Sequence, residues 1–197
     1  MVLGDGNVLE AFCSIGTEAE YKGKHSQGTV IIGSNNKINE FVTIHAALEP
    51  EEATFIGSDC YIMTKSHIGH DAMIEDGVTL SSLSIVGGHS VVMRGANIGL
   101  AAAIHQKRVV GHYAMIGMNS TVVKSIPPMV IAMGSPAKVA RANTIGLTRK
   151  GYGKDVIACV EDYALYLAHN IDNPGVPWLI ADDIQHWQKR VKALEAK

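Results

Sequence analysis

The sequence has few of the features that mark secreted, membrane-spanning or nucleic-acid-binding proteins. Its three cysteines, Cys13, Cys60 and Cys159, lie far apart and form no CxxC pair, which predicts free thiols in a reducing compartment and no zinc site of their own. No apolar run reaches the roughly 18 residues of a transmembrane helix, and the first residues lack the basic and apolar segments of a signal peptide. The 17 Lys and Arg residues nearly balance the 19 Asp and Glu residues, so no positive excess favours nucleic acid. We therefore expect a cytoplasmic protein with no membrane span and no nucleic-acid partner.

An aliphatic residue recurs at every sixth position through the middle of the chain. Ordinary composition makes roughly a quarter of residues Ile, Leu or Val, so chance does not produce such a run. The same frame extends back through Ile32, Ile38 and Ile44, and an earlier frame holds Leu3, Leu9 and Ile15. The uninterrupted positions are Ile56, Ile62, Ile68, Ile74, Leu80, Val86, Val92, Ile98, Ile104, Val110, Ile116 and Val122.

This hexapeptide repeat predicts a parallel β-helix. Each hexad forms one short strand and a turn, and three hexads complete a triangular coil whose aliphatic residues stack on their equivalents in the next coil. We expect small and turn-forming residues, glycine above all, at the corners, where glycine adopts a positive φ at little cost. Because no coil buries its core alone, stability comes from the stacking of neighbours.

Two stretches interrupt the ladder, and a different pattern follows it. Residues 17–29 and 45–55 are polar, so we expect loops there, and loops on a rigid scaffold often carry function. From about Lys154 the apolar residues recur with helical spacing, stop over 170–177, and recur again to the end of the chain. We predict a β-helix domain over 1–137 and a C-terminal region over 138–197 with two amphipathic helices.

The hexamer Ser66–Asp71 is the strongest candidate for chemistry. His67 and His70 are three residues apart, and Asp71 follows the second histidine directly. An imidazole moves protons near neutral pH, and an adjacent carboxylate holds its tautomer so that the other ring nitrogen acts as a base. The residues alone leave a second interpretation open, in which both histidines are only structural.

Several motifs, in order, resemble those of the acyl-[acyl-carrier-protein]–UDP-N-acetylglucosamine O-acyltransferases, which catalyse the first acylation of lipid A biosynthesis. The resemblance implies an all-β fold with C-terminal helices, namely a left-handed parallel β-helix followed by a small α-helical region. It also implies a homotrimer with active sites between subunits, an acyl carrier protein partner, a nucleotide-sugar substrate, and no metal or other cofactor beyond an acyl-carrier-protein or CoA thioester as co-substrate. The motifs are TIH (43–45), SHIGHD (66–71), VGGH (86–89), AIHQ (103–106), IPPMVIAMGSPA (126–137) and GLTRKGY (146–152).

The same resemblance assigns roles to individual residues. It makes His70 the general base, Asp71 the residue that orients it, and Gly88 the source of the backbone N–H that stabilises the oxyanion. It places Met118 at the floor of the acyl groove, where a bulky side chain predicts a preference for short or medium acyl chains. The remaining substrate-binding residues that it implies are His45, His67, His89, His105, Gln106, Asn143, Arg149 and Lys150.

Some positions depart from the family pattern and predict altered recognition of the nucleotide sugar. Glu20 stands where the family has a lysine that serves the sugar, with Lys22 and Lys24 nearby, and Ile145 replaces an acidic residue near the nucleotide. The sequence leaves open whether the acceptor group is a hydroxyl or an amine.

Three other functions stay open at this point. One is an acetyl-CoA-dependent sugar acetyltransferase, or an acyltransferase of another glycan or lipid pathway. A second is a zinc enzyme of the carbonic anhydrase kind, with His67, His89 and His105 converging on the metal from neighbouring coils and chains. The third is a non-catalytic trimeric scaffold.

Overall fold

Short strands follow one another at the spacing of the hexads in the computed structural model, which describes residues 1–169 and 178–196. In chain order they are β1 (Val2–Leu3), β2 (Val8–Leu9), β3 (Ser14–Thr17), β4 (Thr29–Ile32), β5 (Lys37–Ile38), β6 (Thr43–His45), β7 (Ala53–Ile56), β8 (Tyr61–Ile62), β9 (His67–Ile68), β10 (Met73–Ile74), β11 (Thr79–Leu80), β12 (Ile85–Val86), β13 (Val91–Val92), β14 (Asn97–Ile98), β15 (Ala103–Ile104), β16 (Val109–Val110), β17 (Met115–Ile116), β18 (Thr121–Val122), β19 (Val130–Met133) and β20 (Lys138–Ala142).

Up to β18, every third strand joins the same sheet, so the chain winds around a three-sided prism. Sheet I contains β1, β4, β7, β10, β13 and β16. Sheet II contains β2, β5, β8, β11, β14, β17, β19 and β20, and sheet III contains β3, β6, β9, β12, β15 and β18. Within the ladder, neighbouring strands pair in parallel with an offset of three hexads, as Ile74 with Val92 and Leu80 with Ile98 show. The predicted parallel β-helix with three hexads per coil is confirmed.

The aliphatic ladder forms the core of the prism. Its positions from Ile56 to Val122 are all at most 2% exposed. Each fully buried aliphatic side chain contributes about 1.5–3 kcal/mol of hydrophobic free energy. The stack of buried side chains therefore holds the coils together, and it fixes the register because a shift of one residue would turn the ladder outward.

The corners differ from the prediction that glycine provides their positive φ. The left-handed residues are mostly not glycine: Asp71, His89 and Lys107, for example, have φ between 57° and 59°. The glycines that follow ladder residues serve close contact between coils instead, since a Cβ on Gly87 would lie 2.6 Å from the backbone nitrogen of Gln106. The expectation holds at Gly77 and Gly95, which have a φ of 66°, but not at the glycines that directly follow residues of the uninterrupted ladder.

The C-terminal region closes one end of the prism and then returns along it. Strand β20 pairs antiparallel with β19, and the helices are α1 (Thr144–Arg149), α2 (Lys154–His169) and α3 (Ala181–Glu195), with a 3-10 turn at Trp178–Ile180 before α3. Both predicted helices are present, whereas β20 and α1 were not predicted; the predicted break over 170–177 lies outside the described residues. Trp187, Val191 and Leu194 of α3 pack on Val91, Met93 and Val109 of sheet I.

None of the helices in residues 1–169 and 178–196 has the length and apolarity that a membrane crossing requires. The proposed division of the chain at residue 137 stays a prediction.

Candidate active site

The chemistry-bearing motif lies at the corner between sheets III and I. His70 and Asp71 occupy the turn from β9 to β10, and both loops leave the prism at this same corner. The loops bind each other, since Gln27 N donates to Leu48 O at 3.1 Å and Lys24 forms an ion pair with Glu49. The rigid coil therefore positions the motif, and the paired loops build a wall beside it.

Three successive coils stack the site residues in columns. His70, Gly88 and Gln106 occupy the same position of successive coils, and so do Asp71 and His89. Because every coil consists of three hexads, motifs that are distant in sequence become neighbours at one corner. The fold thus brings the SHIGHD, VGGH and AIHQ motifs together.

Asp71 fixes the orientation of His70. His70 Nδ1 lies 2.6 Å from Asp71 Oδ2, and a carboxylate only accepts hydrogen bonds, so Nδ1 carries the proton and Nε2 has the free lone pair. Asp71 is held in turn by Leu48 N, which donates to its carboxylate at 3.3 Å, and by Thr54, whose Oγ1 accepts from Asp71 N at 2.8 Å. His70, 9% exposed, is therefore a preorganised base with Nε2 free.

Gly88 lies directly against the imidazole of His70. A Cβ on Gly88 would be 2.6 Å from His70 Nε2, so only glycine fits beneath the ring. The Gly88 N–H makes no hydrogen bond within residues 1–169 and 178–196. A free proton acceptor and a free backbone donor thus lie side by side.

Aromatic rings close the other sides of His70. Tyr21, from the first loop, places its ring 5.7 Å from the His70 ring at 88°, and the His89 ring is 5.0 Å away at 89°. His89 Nε2 is also 3.8 Å from Asp71 Oδ2. These contacts limit rotation of the base.

The remaining predicted histidines line a pocket of about 330 Å³ beside His70. His45 and His67 place their rings 4.7 Å apart, and Thr43 Oγ1 is 2.8 Å from His67 Nδ1. Burial lowers the pKa of both histidines, with a further lowering of the His67 pKa by His45. Since their usual pKa is about 6.5, both rings are neutral at pH 7. We call this cavity the histidine pocket; it is lined by Glu20, His45, His67, Gly69, His70, Gly87, Gly88, Ile104, His105 and Gln106.

A metal triad of His67, His89 and His105 does not form within one chain. Among the described residues, the ligand atoms that approach one another closely enough belong to His70, Asp71 and His89. His105 instead points its Nδ1 at the carbonyl of Gln106, 3.2 Å away.

The other predicted residues lie on a different face of the prism. Met118, Asn143, Arg149 and Lys150 line a groove of about 680 Å³ on sheet II, together with Arg141 and exposed apolar side chains. Met118 is 70% exposed there. We call this cavity the basic groove. Within one chain the structure does not bring these four residues together with His70.

Asn143 also has a structural task. It caps α1, because its Oδ1 accepts from Gly146 N at 3.2 Å, and its Nδ2 donates to Tyr113 O at 2.8 Å. The first turn of α1 is thereby tied to the last coils, which fixes Arg149 and Lys150 at the mouth of the basic groove.

Sequence reasoning missed the groups that support the base. Tyr21, Leu48 and Thr54 contact His70 or Asp71, yet they lie 17 or more residues from Asp71 in the chain. Thr54 precedes Ala72 by three hexads and thus lies one coil from the motif, which the repeat spacing would have indicated. Tyr21 and Leu48 belong to loops, and no signal in the repeat locates them.

Curated relatives and solved structures resemble the chain over most of its length. The acyl-[acyl-carrier-protein]–UDP-N-acetylglucosamine O-acyltransferase of Burkholderia orbicola is 36% identical over 160 residues, which are 80% of this chain and 61% of that protein. The protein of the same name from Synechocystis is 32% identical over 173 residues, 87% of this chain and 62% of that one. This chain therefore spans about three fifths of the length of these relatives. No protein-family model matches it.

Solved structures give the same result. The UDP-N-acetylglucosamine O-acyltransferase of Moraxella catarrhalis superposes with a TM-score of 0.85 at 27% identity, covering 97% of this chain and 78% of that one. The corresponding structure from Acinetobacter baumannii gives 0.82 at 27% identity, with 98% and 78% covered. The agreement confirms the predicted left-handed β-helix. The chain therefore belongs to the family of acyl-[acyl-carrier-protein]–UDP-N-acetylglucosamine O-acyltransferases.

Proposed function

We propose that the protein transfers an acyl group from an acyl-carrier-protein thioester to a hydroxyl or amine of a nucleotide-linked amino sugar. Its curated relatives are named acyl-[acyl-carrier-protein]–UDP-N-acetylglucosamine O-acyltransferases, which supports the donor and the nucleotide sugar. His70 Nε2 takes the proton of the attacking group while that group bonds to the thioester carbonyl carbon. The carbonyl oxygen becomes an oxyanion and accepts from the Gly88 N–H. The C–S bond then breaks, and His70 returns the proton to the departing thiolate.

One observation supports this proposal most strongly. The Nε2 atom of His70 and the N–H of Gly88 are both without a partner in the described part of the chain, and they face the same pocket. A base for the incoming proton and a donor for the developing oxyanion are the two groups that acyl transfer needs. A merely structural histidine would normally have both ring nitrogens satisfied.

The basic groove supplies the complementary half of the proposed site. Arg149 and Lys150, with Arg141, offer positive charge for the phosphates of the nucleotide. Met115, Met118 and Met133 give part of the same groove an apolar wall for the acyl chain. Met118 protrudes into the groove, which supports the predicted preference for short or medium chains.

A homotrimer would unite the two halves. Exposed apolar residues line up along the corner between sheets II and III: Phe12, Phe41, Leu83 and Leu100 are each 48% or more exposed, and the two phenylalanine rings stack at 5.1 Å. The exposed Lys65 separates the two phenylalanines from the two leucines along this corner, and exposed apolar patches of this kind mark association surfaces. A threefold axis beside this corner places sheet III of one subunit against sheet II of the next, so that each histidine pocket faces a neighbour's basic groove.

The test is a thioester-release assay with acyl-carrier-protein and CoA donors and a panel of nucleotide sugars. We expect release that depends on both an acyl-carrier-protein donor and a uridine-linked acceptor, and that His70→Ala abolishes. The exposed His186 of α3 lines neither the histidine pocket nor the basic groove, so it gives the control His186→Ala, which should keep full activity. Faster release from acetyl-CoA would favour the sugar acetyltransferase instead, and turnover by His70→Ala would contradict the assigned base.

A further inference from the structure

A carboxylate faces the histidine pocket without a partner. Glu20, on the first loop, lines the pocket, and its charge partly opposes the lowering of the His45 and His67 pKa by burial. It makes no hydrogen bond or ion pair with any described residue. Its neighbours on the loop behave differently: Glu18 pairs with His25, and Lys24 pairs with Glu49. The loop thus presents one uncompensated acid to the pocket.

Nothing else in the pocket balances this charge. No Lys or Arg of the described residues lines it, and His45 and His67 are neutral at pH 7 because burial lowers their pKa. Nor do Glu20, His45 and His67 bring ligand atoms close enough together to hold a metal ion, as judged over residues 1–169 and 178–196. The pocket is therefore suited to a positively charged or N–H-rich group of a ligand.

The two half-sites have opposite charge. The basic groove carries Arg141, Arg149 and Lys150, whereas the histidine pocket carries Glu20, and the Asp71 carboxylate lies behind the His70 ring, to which it is hydrogen-bonded. A ligand that spans both has phosphates at one end and a cationic group at the sugar end. An amine beside His70 satisfies this requirement better than a hydroxyl does, because an ammonium donor carries the charge opposite to that of the carboxylate, whereas a hydroxyl donor is neutral.

We propose that Glu20 selects an acceptor sugar whose reacting group is an amine, so that the protein forms an amide. This inference rests on the proposed acyl transfer and specifies its acceptor. The acceptor binds as an ammonium against Glu20 and loses one proton to solvent through this exposed carboxylate. The neutral nitrogen bonds to the thioester carbonyl carbon, the C–S bond breaks, and the second proton passes through His70 to the thiolate.

The experiment uses two matched acceptors, UDP-N-acetylglucosamine and its analogue with an amine in place of the 3-hydroxyl. Their Kd values are measured by calorimetry at pH 7 on the intact chain, and their kcat/KM values in the thioester assay. We expect the wild-type protein to bind the amine about tenfold more tightly, the size of one charge-assisted hydrogen bond at a partly exposed position. Glu20→Gln should remove most of this preference, and Glu20→Lys should reverse it.

Glu18→Gln is the matched control, because it neutralises an acid of the same loop outside the pocket and should leave the preference unchanged. Two results would overturn the role of Glu20: equal binding of both acceptors by the wild-type protein, or a preference for the amine in Glu20→Gln as large as that of the wild type. In either case, turnover of the acceptor with the hydroxyl would still support the proposed acyl transfer. Binding of the amine without turnover of either acceptor would support Glu20 and contradict the acyl transfer. Binding of neither would overturn both.

Discussion

The histidine pocket and the basic groove are built in different ways. Outside the two loops, the histidine pocket is lined by Ile104 and by residues within two positions of Ile68, Val86 and Ile104. The ladder therefore places these residues at the same corner in successive coils. The basic groove needs β20 and α1, which obey no hexad, and its cap residue Asn143. The first half-site is a property of the repeat and the second of the chain that ends the repeat. The proposed base, fixed by the scaffold, and the proposed binding groove, fixed by a terminal helix, should therefore respond differently to mutation.

The largest difference should come from removing one functional side chain in each half. His70→Ala should lower kcat by about 10²–10⁴, the usual cost of losing a general base. Arg149→Ala should raise KM by about tenfold and leave kcat nearly unchanged, since a phosphate contact is made equally in the ground and transition states. Steady-state kinetics on both variants measure the contrast. Equal effects on kcat would mean that the two halves do not divide catalysis and binding.

Gly88→Ala should come next, because it alters the histidine pocket without removing a functional group. The added Cβ would lie 2.6 Å from His70 Nε2 and must displace the ring. We expect kcat to fall by at least about tenfold with little change in KM for the nucleotide sugar. The control is Ala103→Ser on sheet III. Gly77→Ala, at the edge of the basic groove, is unsuitable because an alanine at a φ of +66° would be strained. Wild-type kcat in Gly88→Ala would argue against contact between the base and this glycine in solution.

Asp71→Asn should affect the base through its tautomer. The amide can donate a proton to Nδ1, which would leave Nε2 protonated and unable to act as the base. We predict a fall in kcat with a KM close to that of the wild type. A higher KM with unchanged kcat would make Asp71 a binding residue.

Met118→Gly should change the basic groove in a graded way. Each methylene that enters an apolar groove contributes about 0.8 kcal/mol, close to a factor of four in affinity. We expect the optimum acyl length to increase when the protruding side chain is removed, without loss of kcat on the original donor. The assay is a donor series of increasing length on both proteins, and an identical optimum would leave Met118 as a surface residue.

The smallest effect concerns pH and stability. Burial lowers the pKa of His45 and His67 in the folded state, so the unfolded chain binds more protons below its own pKa of about 6.5. The free energy of unfolding should be constant above that pH and should decrease as the pH falls below it. Denaturant titrations from pH 5 to 8 measure this slope, which His67→Gln should reduce and His186→Gln should not. A pH-independent stability would contradict the burial argument.

The sequence predicts the histidine pocket better than the basic groove. The hexad period predicts the coil and the corner at which His70, Gly88 and Gln106 lie. Their stacking therefore follows from their spacing in the sequence alone. The period does not locate Tyr21 or Leu48, because loop paths depend on contacts such as the pairing of Lys24 with Glu49. The hexad period also led to the prediction that glycine provides the positive φ at the corners. Positive φ falls mostly on other residues, such as Asp71 and His89, while Gly87 permits close contact between coils. The strand β20 and helix α1 carry too few residues to show a period.

Subunit mixing tests the central claim, that one active site takes its base from one subunit and its binding groove from the next. His70→Ala and Arg149→Ala protomers are unfolded together at equal amounts, refolded, and assayed at a nucleotide-sugar concentration below the KM of the Arg149→Ala protein. Each site receives an intact histidine half and an intact groove half with a chance of one half each, so about a quarter of the sites should be fully intact. We predict activity near a quarter of the wild type, well above the mean of the two separately refolded variants. Activity equal to that mean would contradict a site shared between subunits.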